Sequence, residues 1–187
     1  SNGATHLLTG ENQTALTQGY YSDYTKFSDS EAEAIRRYYD YMIRYENLFF
    51  DPELQDVTMT HTGWDNYEYQ CTSHKVSSYG EAGKIWMILR EKDYRKCIYL
   101  LNLCGQSEDY WNEGKEEPNI QKDIKFTVQV DTPVEKICFS TPDGKNMDAV
   151  ELLFTERATR TGKFIDFTVP SLNYWTTIWI DTRKETI

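Results

Sequence analysis

The chain has 187 residues and a formal net charge of −10, from 20 Lys and Arg against 30 Asp and Glu. That length suffices for one domain with a substantial core, or for a domain plus an attached segment. Scattered basic residues among more numerous acids argue against nucleic acid and against an anionic membrane surface as partners, and no run approaches the ~20 apolar residues of a membrane-spanning helix.

The chain begins Ser1-Asn2-Gly3-Ala4, with neither a basic stretch nor an apolar stretch of signal-peptide type. His6-Leu7-Leu8-Thr9 reads as a short strand, and Gly10-Glu11-Asn12-Gln13 as the turn or loop after it. Ser28 with Glu31 forms a capping-box signature, opening a helix that the pattern carries to about Phe49. Ile35, Tyr38, Tyr39, Met42, Tyr45 and Phe49, spaced by three and four, predict its apolar stripe. Asp51-Pro52 ends it, because the residue before proline is pushed out of the helical region.

Beyond Pro52 the pattern turns to short strands. We expect them near Val57–His61, Tyr67–Thr72, Lys84–Glu91, Lys96–Leu103, Ile124–Val130, Lys136–Thr141, Val150–Thr155, Phe164–Val169 and Thr176–Asp181. Apolar residues alternate with polar ones from Ile124 to Val130 and from Ile165 to Val169, the mark of half-buried strands. Lys92-Asp93-Tyr94 reads as a hairpin loop and Pro142-Asp143-Gly144 as a turn. The polar stretch Gly105–Gln121 reads as a solvated crossover between two sheets. The fold class expected is mostly β: an antiparallel β-sandwich of Greek-key type preceded by a helical segment, the chain dividing into residues 1–52 and 53–187.

Cys71, Cys97, Cys104 and Cys138 include no C-x-x-C pair, and Cys97 and Cys138 sit in strand-like runs as buried small hydrophobes. A disulfide is compatible with an oxidising compartment, with the pairing left open. His6, His61 and His74 form no H-E-x-x-H motif, so neither a metal centre nor a cofactor is expected. There is no G-x-S-x-G nucleophile elbow, phosphate loop or dinucleotide fingerprint. Fourteen Tyr, eight Phe and five Trp fit a β-rich core first and a sugar-stacking surface second. His61 with Gly63, Trp64, Asp65 and Tyr67 could make a small sugar-contacting surface, though a loop histidine packed on an aromatic ring is the simpler expectation.

Several segments together resemble glycoside hydrolase family 66, the dextranases and cycloisomaltooligosaccharide glucanotransferases. They are Thr5–Glu11, Arg37–Tyr41, Arg44-Tyr45-Glu46-Asn47-Leu48-Phe49-Phe50-Asp51-Pro52, Asp56–His61, Tyr79–Trp86 and Asp109-Tyr110-Trp111-Asn112. The resemblance implies a catalytic (β/α)8 barrel followed by a C-terminal sandwich, with residues 1 to about 52 as the last strand and helix of the barrel. One strand and one helix cannot close an eight-stranded barrel, so the chain is expected to be a piece of a larger enzyme. The implied reaction is retaining cleavage or transfer at α-1,6-glucosidic bonds by an Asp nucleophile and a Glu acid/base, both lying before the matched segments. No catalytic residue is therefore expected here.

Glu11 and Asn12, after the barrel strand, are the candidate substrate contacts, since loops at that end of a barrel strand line the active site. The resemblance also implies an α-glucan partner reached through the parent enzyme, and secretion or display at the cell surface. The helix stripe, if exposed, predicts self-association. The alternative is a carbohydrate-binding module, which a row of exposed Trp64, Trp111 or Trp175 would favour. An interaction sandwich without any sugar role is the third reading.

Overall fold

The computed structural model describes residues 9–10, 14–16, 24–63, 65–110 and 114–183. The backbone separates into two compact units, Ser1–Phe50 and Asp51–Ile187.

In the first unit, three short strands form one antiparallel sheet: β1 (Thr9–Gly10), β2 (Thr14–Leu16) and β3 (Tyr24–Lys26). Of the strand expected at His6–Thr9, only Thr9 lies within the described residues. Helix α1 (Asp29–Arg44) opens on the capping box read from the sequence. The Glu31 amide donates to Ser28 Oγ at 3.3 Å, and the Ser28 amide donates to Glu31 Oε2 at 2.8 Å. The helix does not continue to Phe49. Tyr45, at φ −112° and ψ 32°, interrupts it, and a single turn, α2 (Glu46–Phe49), follows.

The expected stripe is also rotated. Tyr39 is 38% exposed, whereas Tyr41 is wholly inaccessible and Tyr45, Leu48 and Phe49 are buried. At 3.6 residues per turn, residue 39 faces roughly 200° away from residue 41, so both cannot share the buried side. Offsets of four, seven and eight from Tyr41 place Tyr45, Leu48 and Phe49 together, with ring centroids 5.0 Å (Tyr41–Tyr45) and 5.8 Å (Tyr41–Phe49) apart.

The second unit is a sandwich. Its larger sheet contains β4 (Gln55–Asp56), β6 (Val76–Ser77), β7 (Ile85–Lys92), β8 (Arg95–Asn102), β10 (Val134–Ser140), β11 (Val150–Leu152) and β14 (Trp175–Thr182). These run in the order β11-β10-β14-β8-β7-β4, and β6 lies beside β7 as the one parallel pair in this sheet. The smaller sheet is β12-β13-β9-β5, formed by β12 (Phe154–Thr159), β13 (Gly162–Leu172), β9 (Gln121–Val130) and β5 (Tyr69–Cys71). The chain crosses between the sheets after β4, β5, β8, β9, β11 and β13 rather than running up and down. Among the described residues no helix is long and apolar enough to cross a membrane.

Alternation places the core. Ile85, Met87 and Leu89 of β7, Ile98 and Leu100 of β8, and Ile178 and Ile180 of β14 face Ile124, Phe126, Val128 and Val130 of β9 and Ile165, Phe167 and Val169 of β13. Both ends of this core are closed by polar side chains. At one end Tyr69 of the smaller sheet donates its hydroxyl to Glu91 of the larger, which also takes Lys96 Nζ at 2.6 Å. At the other, buried Asn102 donates to the carbonyls of Asn119 (2.9 Å), Leu172 (3.4 Å) and Asn173 (2.7 Å), and accepts from the Cys104 amide at 3.0 Å. These bonds offset the desolvation penalty of enclosing the Asn102 amide and the Tyr69 hydroxyl.

Two strand expectations are corrected. Val57–His61 is a turn: Asp56 Oδ1 accepts the Thr58 amide at 2.9 Å, and the amides of Thr60 and His61 bond back to the Val57 carbonyl. Thr58 extends the edge with its side chain instead, Oγ1 accepting from the Leu89 amide at 2.9 Å and donating to the Leu89 carbonyl at 3.2 Å. Val150–Thr155 is two strands in different sheets. Leu152 pairs with Ile137 in one and Phe154 with Phe167 in the other, leaving Leu153 between them 94% exposed.

The Lys92–Tyr94 region is the β7–β8 hairpin, and the stretch after β8 does carry the chain across to the other sheet, turning out at Gly105 with φ +92°. All four thiols are free. Cys97 and Cys138 both lie opposite Trp179, so two strand spacings of ~4.8 Å separate them, beyond disulfide reach.

Candidate functional site

Glu11 and Asn12, the substrate contacts expected from the sequence, lie outside the described residues, as do Trp64 and Trp111. Trp175, the third tryptophan considered for a sugar-binding row, begins β14 and is half-buried, its amide donating to Asp143 Oδ2 at 2.9 Å. His61 packs on Tyr69 with centroids 6.4 Å apart, the loop histidine on an aromatic ring that was the simpler expectation.

A polar cleft of about 870 Å³ lies at the β7–β8 hairpin, lined by Glu53, Glu91, Lys92, Tyr94, Arg95 and Lys96 among others. Several acids at and beside it are matched with bases. Glu91 holds Lys96, Asp51 and Glu53 hold Lys92, and Asp181 holds Arg95 at 2.7 Å. Burial pushes the Glu91 carboxyl up, but the Lys96 charge and the hydrogen bonds from Lys96 and Tyr69 outweigh it and keep it below the usual range. The Lys92 hydrogen bond holds Asp51 low as well.

Retaining glycoside hydrolysis requires one carboxyl raised enough to act as acid beside one that stays ionised. Among the described residues, each resolved carboxyl shift is downward: Glu31, Asp51, Glu81, Glu91, Glu108 and Asp166. No cluster of three or more His, Cys, Asp or Glu side chains able to hold a metal occurs among them.

The surface best built to hold a ligand is the outer face of the smaller sheet. On β13, Ile165 and Phe167 point inward, so Phe164, Asp166 and Thr168 point out. Tyr67 lies against Phe164 with centroids 6.3 Å apart, and the Arg157 guanidinium sits over the same ring at 5.1 Å. Arg157 Nε donates to Asp166 Oδ2 at 2.8 Å, while the Thr127 hydroxyl of β9 donates to Asp166 Oδ1. Burial raises the Asp166 carboxyl, and these two donors more than reverse it, leaving an ionised acceptor. A groove of about 660 Å³ continues from Asp166, with Lys125, Glu151, Leu153 and Thr168 on its walls. The sequence pattern contains the outward turn of Asp166 and Thr168. It contains neither the β12–β13 register that sets Arg157 beside Phe164 nor the approach of Tyr67.

Comparison with known proteins agrees with the architecture. Residues 1–179 match the family model described as Glycosyl hydrolase family 66. Two curated relatives, both named cycloisomaltooligosaccharide glucanotransferase and both from Niallia circulans, are 29% and 26% identical over 183 residues. In each case the match covers 96% of this chain and only 18% of the relative, so the chain spans less than a fifth of those proteins. A crystal structure of a Paenibacillus sp. cycloisomaltooligosaccharide glucanotransferase complexed with cycloisomaltoheptaose superposes with a TM-score of 0.80 at 25% identity, covering 95% of this chain and 25% of that one. With the family model matching nearly from end to end and the two-sheet sandwich retained, the chain belongs to glycosyl hydrolase family 66.

Proposed function

We propose that this chain is the C-terminal part of a secreted, dextranase-like enzyme acting on α-1,6-glucans, and that its sandwich supports a catalytic barrel formed elsewhere in the parent. In this reading residues 1–52 are the last elements of that barrel, Glu11 and Asn12 touch substrate in the assembled enzyme, and the α-glucan is met through the parent. The observation that carries the proposal is the span of the match: the family model covers residues 1–179, yet the chain covers only 18% of its curated relatives. Each resolved carboxyl shift in the described residues is downward, which agrees with an acid pair lying elsewhere in the parent. A second observation favours a supporting role. The outer face of the larger sheet is not an open ligand platform, since Ile88, Cys97, Tyr99 and Trp179, which point away from the sandwich core, are buried.

The purified chain should release no reducing sugar from dextran, and measurable turnover by it overturns the assignment. Removing residues 53–187 from the parent should cost solubility and activity together. A soluble, fully active truncation would refute the supporting role. Self-association would rest on Tyr39, Ile43 and Phe50, which stay exposed while the Tyr41 stripe is buried: a concentration-dependent rise in sedimentation coefficient of the isolated chain is expected, and a monomer at every concentration excludes it.

A further inference from the structure

The outer face of the smaller sheet joins three features that recur wherever a neutral polyhydroxylated chain is bound. The first is a supported aromatic face. Tyr67 is 40% exposed and is backed by Phe164, so the ring has an open side and a fixed tilt. The second is a pair of charged hydrogen-bonding groups already locked to each other. Arg157 is held between the Phe164 ring and Asp166, and Asp166 is held by Arg157 and Thr127, so neither side chain has to be ordered when hydroxyls arrive. The third is a groove of about 660 Å³, within the ~300–1,000 Å³ range of small-molecule sites. From Phe164 to Thr168 the strip runs four residues, roughly 13 Å at ~3.3 Å per residue, room for a short run of sugar rings.

Charge selects the occupant. The chain carries −10 overall, yet the strip sets Lys125 and Arg157 against Glu151 and Asp166, two positive and two negative, and is locally neutral. A polyanion is repelled by the molecule and a polycation gains nothing at a balanced strip. An uncharged ligand that both donates and accepts hydrogen bonds fits both donor and acceptor rows.

We propose that the strip Tyr67–Arg157–Asp166–Thr168, with its groove, is a non-catalytic binding site for an α-glucan chain, Tyr67 stacking on a sugar ring and Asp166 and Arg157 holding its hydroxyls. The choice of an α-glucan rests on the function proposed above, whereas the site itself does not. The site tethers polymer without cleaving it, and lies on the face of the sandwich that packing leaves open.

Isothermal titration of the full chain with isomaltoheptaose tests this, with cellohexaose as a second probe. Saturable binding of isomaltoheptaose, weakened about fivefold or more in Tyr67→Ala and in Asp166→Asn, is the expected result. Tyr79→Ala, at a more exposed tyrosine away from the strip, should bind as the parent does. Circular dichroism of each variant confirms that it folds. Flat titrations with both sugars overturn the site. So does binding that survives Tyr67→Ala and Asp166→Asn while Tyr79→Ala removes it. Binding of cellohexaose alone overturns the α-glucan assignment and with it the ligand class taken from the proposed function. A flat result leaves the supporting role standing, because that role is read from truncation and not from titration.

Discussion

The two sheets of the sandwich share one core but differ on their outer faces. On the larger sheet, the residues that alternate away from the core are again mostly apolar and buried: Ile88, Cys97, Tyr99 and Trp179, the last only 7% exposed. On the smaller sheet the outward positions Lys125, Thr155, Arg157, Asp166 and Thr168 are partly or fully open to solvent, with only Phe164 and Thr127 among the outward residues described above covered. A sheet with two apolar faces is an internal layer; a sheet with one is a wall. The outer faces therefore separate two tasks. One belongs to packing, the other is free for recognition.

The comparison breaks first at Trp179. If that face is truly internal, Trp179→Ala should cost about 3–5 kcal/mol in urea unfolding, the usual penalty for emptying a large buried site. A loss below ~1 kcal/mol would mean that the face is not packed.

Asn102→Leu should cost about 2 kcal/mol, because it removes the donor to the Asn173 carbonyl and the acceptor of the Cys104 amide at the end of the core, while the Asn119 carbonyl keeps Gln121. The same urea curves measure it, and an unchanged midpoint would show that water replaces the side chain freely.

Glu91, at the opposite end, sharpens the picture through pH. Its folded carboxyl titrates below the ordinary value of 4.5, so the stability it supplies is complete above that value and is lost as pH falls through the lower folded value. Stability should therefore decline on acidification below about 4.5, and Glu91→Gln should flatten that part of the profile. Identical acid limbs for the two proteins would rule this out.

The smallest effect is expected on the open face. Arg157→Ala should shift stability by no more than about 0.5–1 kcal/mol, because its ion pair with Asp166 is solvent-exposed. A larger loss would place Arg157 in the fold rather than at a binding surface.

Much of this could be read locally. The capping box, the β9 and β13 alternation, the β7–β8 hairpin and the buried Cys97 and Cys138 all depend on a few neighbouring residues, and the structure retains them. What escaped depends on partners far along the chain. Val57–His61 has strand-like composition, but the Asp56 carboxylate and the Thr58 hydroxyl capture the amides that a ladder would have used. Leu152, Leu153 and Phe154 alternate correctly across a change of sheet, so the pattern contains no mark of it. Both the rotated helix face and the Tyr45 break turn on which tyrosine finds cover, a tertiary matter. The candidate site escaped for the same reason: Arg157, Phe164 and Tyr67 belong to three separate segments, and only register brings them together.

The step at Leu153 has a mechanical consequence. A single residue joins β11, at one margin of the larger sheet, to β12, at the matching margin of the smaller. At the far margin, β4 and β5 are linked by the long stretch between Asp56 and Tyr69. That margin is held as well, by the short link at residues 72–75 from β5 to β6 and by the Tyr69–Glu91 hydrogen bond, so the sandwich is stitched along both edges. Neither edge can swing open alone, and amides near Tyr69–Cys71 should exchange hydrogen for deuterium no faster than those flanking Leu153.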